Sequence, residues 1–237
     1  MKLRLLVAAT LAALTLTAGA VSAQDTTSEK GKLSYAIGFR IGMDIAELQA
    51  RGEQVDVATV IKALQDAVAK KDPAVPAKQL GLSIENMQTR LDARAKAAFE
   101  KMSAENKTKS DTFLAQNKAK AGVKALASGV QYRVIEAGAG AKPTQASQVL
   151  ISYKGTLPSG RVIVDTDDAA PNQPAGPVSI KVSEIPLSGL REALQMMPTG
   201  ARWEVVMPAT AAYGTTIEAG QMANQAVVFD VKLVSIK

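Results

Sequence analysis

Few residues in this chain of 237 are equipped for chemistry, and two of them frame the segment MPATAAYGTTIEAGQMANQAVVFDVKL at residues 207–233. Tyr213 stands at the mouth of a loop of small and polar residues, and Phe229 lies in the alternating strand pattern behind it. The chain contains no His and no Cys. That excludes Ser-His-Asp and Cys-His nucleophilic schemes and the common zinc ligand sets, which draw on His or Cys. An enzyme of this composition works with neither such a nucleophile nor a metal, and no metal site or cofactor is expected. By patterning alone, Phe229, and Tyr153 in LISYKG, read as core aromatics of alternating strands. Tyr213 reads equally as an incidental surface residue or as a site residue, because loops on a rigid scaffold carry function.

The region that carries these positions has a period of two. After Gly122 the segments GVQYRVIEAG, QVLISYKGTL, RVIVD, PVSIKV, ARWEVVMP and VVFDVKLVSIK read as strands bounded by Gly, Pro, Asn and Ser. One short helix, GLREALQMM, interrupts them before Pro198-Thr199-Gly200. Five or six antiparallel strands wrapped on that helix predict an α+β half-barrel over residues 123–237. Trp203, the sole tryptophan, falls on a strand and is expected in its core.

Upstream the period is helical. Leu33, Ile37, Ile41, Ile45 and Leu48 recur at steps of four and three, and Gly52 ends the pattern. Asp56 then caps VATVIKALQDAVAKK, which runs to Asp72-Pro73 with Val57, Val60, Ile61, Leu64 and Val68 on one side. Two such helices cannot bury their apolar stripes alone, so residues 24–79 either pack on another domain or, the favoured reading, pair with a second chain. A long helix follows, from about Pro76 to Lys120, forming a connecting segment at 80–122. Ile84, Met87, Leu91, Ala95, Ala98 and Met102 keep its first half striped. Its stretch SAENKTKSDT (103–112) has no large apolar residue, which predicts a solvent-crossing arm, the alternative being a disordered linker.

Met1–Ala23 has Lys2 and Arg4, an apolar core, and Val21-Ser22-Ala23, the pattern of a secretory signal peptide. The apolar run is too short and wrongly flanked for a good membrane anchor. The expected mature chain starts near Gln24, is exported, and has no transmembrane segment. Removing Lys2 and Arg4 takes the 28 basic residues to 26 against 22 acidic ones, so the net charge falls from +6 to +4. These charges are intermixed, with no aromatic interleaving, so no nucleic-acid partner is expected.

SGVQYRVIEAGAGAKP, VLISYKGTLPSGRV, LREALQMMPTGARWEVVMP, AAYG and VVFDVKL together resemble the FK506-binding-protein (FKBP) type of peptidyl-prolyl cis-trans isomerase. LSYAIGFRIGMDI, the long helix after it and FLAQNKAKAGVKAL are similar to the N-terminal region of the Mip and FkpA group within that family. The resemblance implies a homodimer joined through the N-terminal helices, in the periplasm or at the outer membrane. It also implies isomerisation of Xaa-Pro segments in unfolded or exported proteins, chaperone activity, and a pocket of the kind that binds macrolide inhibitors.

Residue by residue, the resemblance matches Tyr213 to the pocket Tyr whose hydroxyl holds a substrate carbonyl, Phe229 to the pocket floor and Tyr153 to an aromatic wall. Ile180 takes a wall position where the family often has Phe. The family's Phe-Asp pair falls on Ile163 and Val164 in an ungapped match. One inserted residue would instead place Val164 in the Phe role and Asp165 as the catalytic acid. In IPLSGLREAL the family's Ile position falls on Pro186 or Leu187, and Leu190 replaces the Trp of the floor. The loop before the last strand reads QMAN where the family usually has Ile-Pro-Pro. Losing Trp removes a flat apolar surface of about 150–250 Å², so the expectation is a pocket of the family type with weakened walls and reduced catalysis. The alternative is a non-catalytic dimeric chaperone with a degenerate pocket.

Overall fold

Side-chain caps start the first two helices of the computed structural model, which describes residues 25–169 and 174–237. The secretory signal expected at Met1–Ala23 lies outside the described residues. Helix α1 (Glu29–Ala50) begins where the Ser28 hydroxyl accepts from the Gly31 amide at 3.0 Å. It ends before Gly52, whose φ of 87° suits a residue without a Cβ. Helix α2 (Val57–Val68) begins where the Asp56 carboxylate accepts from the Thr59 amide at 2.7 Å. Helix α3 (Ala77–Lys118) runs for 42 residues. The chain divides into two compact units, one ending at Met87 and the other spanning Gln88–Lys237.

In the first unit many apolar residues stay open, although Ile41, Ile45 and Leu48 of the α1 stripe and Val60 of α2 are half-buried. Leu33 and Ile37 are exposed, and so is a second face of α1 that the sequence reading passed over, Tyr35, Phe39 and Met43. These five side chains are between 48% and 62% accessible. The Tyr35 and Phe39 rings stack on each other with centroids 6.0 Å apart. Val57, Ile61, Leu64 and Val68 of α2 are exposed as well. A helix apolar on more than one face normally lies inside a larger core.

The second unit is built on strands β1 (Val123–Ala125), β2 (Gln131–Glu136), β3 (Gln148–Thr156), β4 (Val162–Asp165), β5 (Val178–Lys181), β6 (Arg202–Met207) and β7 (Val227–Ile236), with helix α4 (Ser188–Met196) between β5 and β6. They form one antiparallel sheet in the order β1-β2-β6-β7-β3-β4. Strand β5 shares the outer edge of β3 with β4, pairing along 148–151 while β4 pairs along 154–156. Six strands match the sequence segments. The seventh, β1, has three residues, too few to show an alternation.

Alternate residues of β6 and β7 (Trp203, Val205 and Met207; Val227, Phe229, Val231 and Leu233) point to the core. There they meet Leu190, Ala193 and Leu194 of α4. A Cβ on Gly189 would stand 2.9 Å from Met207, so α4 approaches β6 as closely as it does because that position is glycine. Trp203 lies in this core and stacks on Tyr132, centroids 4.5 Å apart and planes at 11°. Among the described residues its indole N–H has no hydrogen-bond partner.

One expectation is corrected in this unit. The polar stretch of α3 does not simply cross solvent. Ser103, Asn106 and Ser110 are buried, as is Asn117 further along. Their polar atoms bond to the 221–226 segment and to Gln131 of β2. Burial of polar side chains is tolerated where each finds a partner.

Candidate active site

The floor of the site follows from strand register. Phe229 on β7 is opposite Val205 of β6 on one side and Gly155 of β3 on the other, and only 2% of it is accessible. Gly155 is also opposite Val164 of β4. A Cβ on Gly155 would lie 2.7 Å from both Phe229 Cζ and Val164 Cγ1, so the absent side chain is what allows ring and valine to close over the strand. Two residues back along β3, Tyr153 faces the same side and its ring meets Phe229 at 5.9 Å with a 32° tilt.

Above this floor is a cavity of about 190 Å³. Tyr153, Val164, Ile180, Leu187, Leu190, Tyr213 and Phe229 line it, all expected from the sequence. Ile151, Val178, Ile185 and Pro186 complete the lining. Ile151 and Val178 are paired across β3 and β5, a contact that sequence alternation suggests only once the pairing is known. Ile163 is not in the lining. It packs, partly buried, against the core on the other face of β4 from Asp165's neighbour Val164.

Asp165 requires a correction. Side chains alternate along a strand, so with Val164 facing the cavity, Asp165 faces away. Its carboxylate is 2.8 Å from Lys154 Nζ and accepts from the Asp167 amide at 3.0 Å. The lysine, followed by that amide, holds the Asp165 carboxyl below the usual carboxylate range. Together with Arg202, Asp230 and Lys232 it lines a polar depression separate from the cavity. Among the described residues the cavity wall therefore carries Val164 and no carboxylate: Ile163 does not take the Phe position of the ungapped match, and Asp165 does not bring the acid of the gapped one into the lining.

Tyr213 is the polar group of the rim. It is 40% accessible while still lining the cavity. Burial, and secondarily the neighbouring Tyr153 phenol, push its hydroxyl above the ordinary tyrosine value. It thus stays a neutral donor throughout the physiological range. An apolar hollow of this size, with one phenol at its mouth, fits a single apolar ring and one carbonyl. It is smaller than the about 300–1,000 Å³ typical of sites for drug-sized molecules. Among the described residues no group of His, Cys, Asp and Glu is arranged to hold a metal.

Half-barrel, short helix and apolar hollow define a class, and the chain belongs to the family of FKBP-type peptidyl-prolyl cis-trans isomerases. Residues 140–234 match the family model for the FKBP-type peptidyl-prolyl cis-trans isomerase itself. Residues 30–134 match the model for the domain amino-terminal to it. Along its whole length the chain is 36% identical to the outer membrane protein MIP of Legionella longbeachae, covering 99% of that protein. It is 32% identical to the FKBP-type 22 kDa peptidyl-prolyl cis-trans isomerase of Escherichia coli strain K12, over 87% of this chain and 95% of that one. The crystal structure of FkpA from Escherichia coli superposes with a TM-score of 0.66 at 27% identity, covering 89% of this chain and 98% of that chain.

Proposed function

We propose that this protein catalyses cis-trans isomerisation of Xaa-Pro bonds in exported polypeptides, with the cavity between β3, β4, β5 and α4 as its site. The observation that carries the reading is an apolar hollow whose floor is Phe229 and Tyr153 and whose mouth bears the Tyr213 hydroxyl. Rotation of an Xaa-Pro amide has a barrier of about 18–20 kcal/mol, set by resonance between nitrogen and carbonyl. At a right angle that resonance is lost and the amide carries less separated charge. An environment poor in water then disfavours the planar amide more than the twisted one, lowering the barrier with no covalent step.

In this reading the prolyl ring sits on Phe229, walled by Tyr153, Val164, Ile180, Leu187 and Leu190, and Tyr213 donates to a substrate carbonyl. No acid-base group takes part, in keeping with the valine at position 164. Leu190 gives a smaller floor than an indole would, which supports lower activity and weak binding of macrolide inhibitors. The domain plan that fits is a helical pairing region at 24–79, a connecting helix at 80–122 and the isomerase domain at 123–237. The exposed apolar faces of α1 and α2 support a homodimer, in which unfolded clients are also held. The likeness to a relative named as an outer membrane protein supports a periplasmic site of action at or near that membrane. No helix of the described residues is long and apolar enough to cross a membrane.

The test is a protease-coupled isomerisation assay on an Ala-Leu-Pro-Phe peptide. Acceleration that falls in Tyr213→Ala and Phe229→Ala supports catalysis at this cavity. A rate equal to the uncatalysed one, with suppressed aggregation of a denatured client, leaves only the holding role.

A further inference from the structure

The loop that presents Tyr213 has little structure of its own. From Tyr213 to Ala226 it contains one 3-10 turn, Ile217–Met222, broken at Gly220, and no strand. Its second half is nevertheless held against helix α3. Helix α3 supplies the restraint: Ser103, Asn106 and Ser110 lie at helical steps of three and four on one face. The Asn106 side-chain amide donates to the Gln221 and Ala223 carbonyls at 3.2 and 3.0 Å. The Asn224 side chain donates to the Ser103 hydroxyl at 2.6 Å, and the Ala226 amide donates to the Ser110 hydroxyl at 2.7 Å. Three side chains thus bond to four of the six residues 221–226.

The restraint reaches the site through one further bond. The Asn224 amide donates to the Gly214 carbonyl at 3.1 Å, and Gly214 is bonded back to the Ala209 carbonyl at 2.8 Å. Asn224 can do both because it adopts a φ of 59°, a conformation that asparagine tolerates better than most residues. At the other end, Ala226 leads within three residues to Phe229. The held segment is therefore tied to Tyr213 through Asn224 and Gly214, and to Phe229 through Ala226. Asn117 and Gln131 anchor the same face of α3 to the sheet, with Gln131 also donating to the Leu114 carbonyl.

We infer that Ser103, Asn106 and Ser110 are positioning residues, which hold the 213–226 loop so that the Tyr213 hydroxyl stays over the cavity. The connecting helix is on this account part of the support of the site. A hydroxyl must be held to within about 0.5 Å to serve a reacting group, and the loop's own short-range bonds, such as Ala219 to Thr216 and Ala223 to Gly220, do not tie it to the rest of the domain. The inference rests on the isomerase reading for its kinetic consequence only.

The test uses the full-length protein with Asn106→Ala/Ser110→Ala, Ser110→Thr, Tyr213→Phe and the triple combination. Amide exchange is followed at Gly214 and Ala226, with Val205 in the central sheet as a control. The double variant should exchange faster at Gly214 and Ala226 while Val205 is unchanged, and Ser110→Thr, which keeps the hydroxyl, should retain more protection at Ala226 than the double variant. In the peptide assay the double variant should lose the same ~2–10-fold in kcat/KM as Tyr213→Phe, the range set by one hydrogen bond. Added to Tyr213→Phe it should cost nothing more. Unchanged exchange at Gly214, or losses that multiply in the triple variant, would overturn the inference. If the unaltered protein does not accelerate the peptide, the isomerase reading fails, and the exchange data alone decide whether the helix holds the loop.

Discussion

The two units of this chain use apolar side chains in opposite ways. The sheet unit turns its alternating residues inward, so Val205, Leu194 and Val231 are wholly buried within one chain. The N-terminal helices present Leu33, Ile37, Phe39 and Ile61 outward. Both sets show a regular period, and period alone does not say whether the partner of an apolar face is in the same chain. Length decides: the sheet unit has enough chain to close a core, whereas two helices do not.

The sharpest way to break this contrast is a charge on each exposed face of α1. Ile37→Asp with Phe39→Asp should convert a dimer to a monomer at micromolar concentration, since an unpaired buried charge costs several kcal/mol. Sedimentation equilibrium reads the change, and the peptide rate should not move. A variant that stays dimeric would show that α1 is not the pairing surface.

Within the sheet unit, Phe229→Ala should lower unfolding stability by about 3–5 kcal/mol, seen in a denaturant titration. Gly155→Ala is the more diagnostic change. Its methyl would meet Phe229 and Val164 at 2.7 Å, and overpacking of that kind costs roughly 1–3 kcal/mol. It should also shrink the cavity and reduce the peptide rate. Ala at 155 with full activity would mean that the floor is softer than the register requires.

Smaller effects are expected from titration. The described groups that line the cavity include no carboxylate, and the chain has no imidazole, so kcat/KM should be flat from about pH 6 to about pH 9. It should decline only above the ordinary tyrosine range, because the Tyr213 value is raised and its donor proton is lost late. A bell-shaped profile near neutrality would point to an acid-base group outside this site. The smallest effect belongs to Asp165. Its lowered value means that its contribution to stability is complete above the ordinary carboxylate range and fades as pH falls through the folded-state value. Lys154 is half exposed at 52%, so Lys154→Ala should leave both the midpoint at neutral pH and the peptide rate almost unchanged, in line with the small worth of surface pairs.

Much of this was readable from residue order. The six longer strands, the Asp56 cap and the aromatic floor follow from period, cap chemistry and family resemblance. Three features were not readable, each for a physical reason. Asp165 and Val164 are adjacent, so choosing which faces the cavity needs the register of β4 against Gly155. Strand β1 is too short to display a period. The buried face of α3 has the right helical spacing but is written in Ser and Asn, and apolar periodicity is blind to a surface that docks by hydrogen bonds.

Trp203 offers a last consequence. A lone indole, packed flat on Tyr132 and out of reach of water, emits from the sheet unit and from nowhere else in the chain. Its fluorescence therefore follows melting of that unit alone, whereas ellipticity at 222 nm sums the helices of both units, since most of α3 and all of α4 belong to the sheet unit. Heating the protein while recording both signals separates the two unfolding events without a label, and a shift of one trace past the other on dilution would expose which event is tied to subunit concentration.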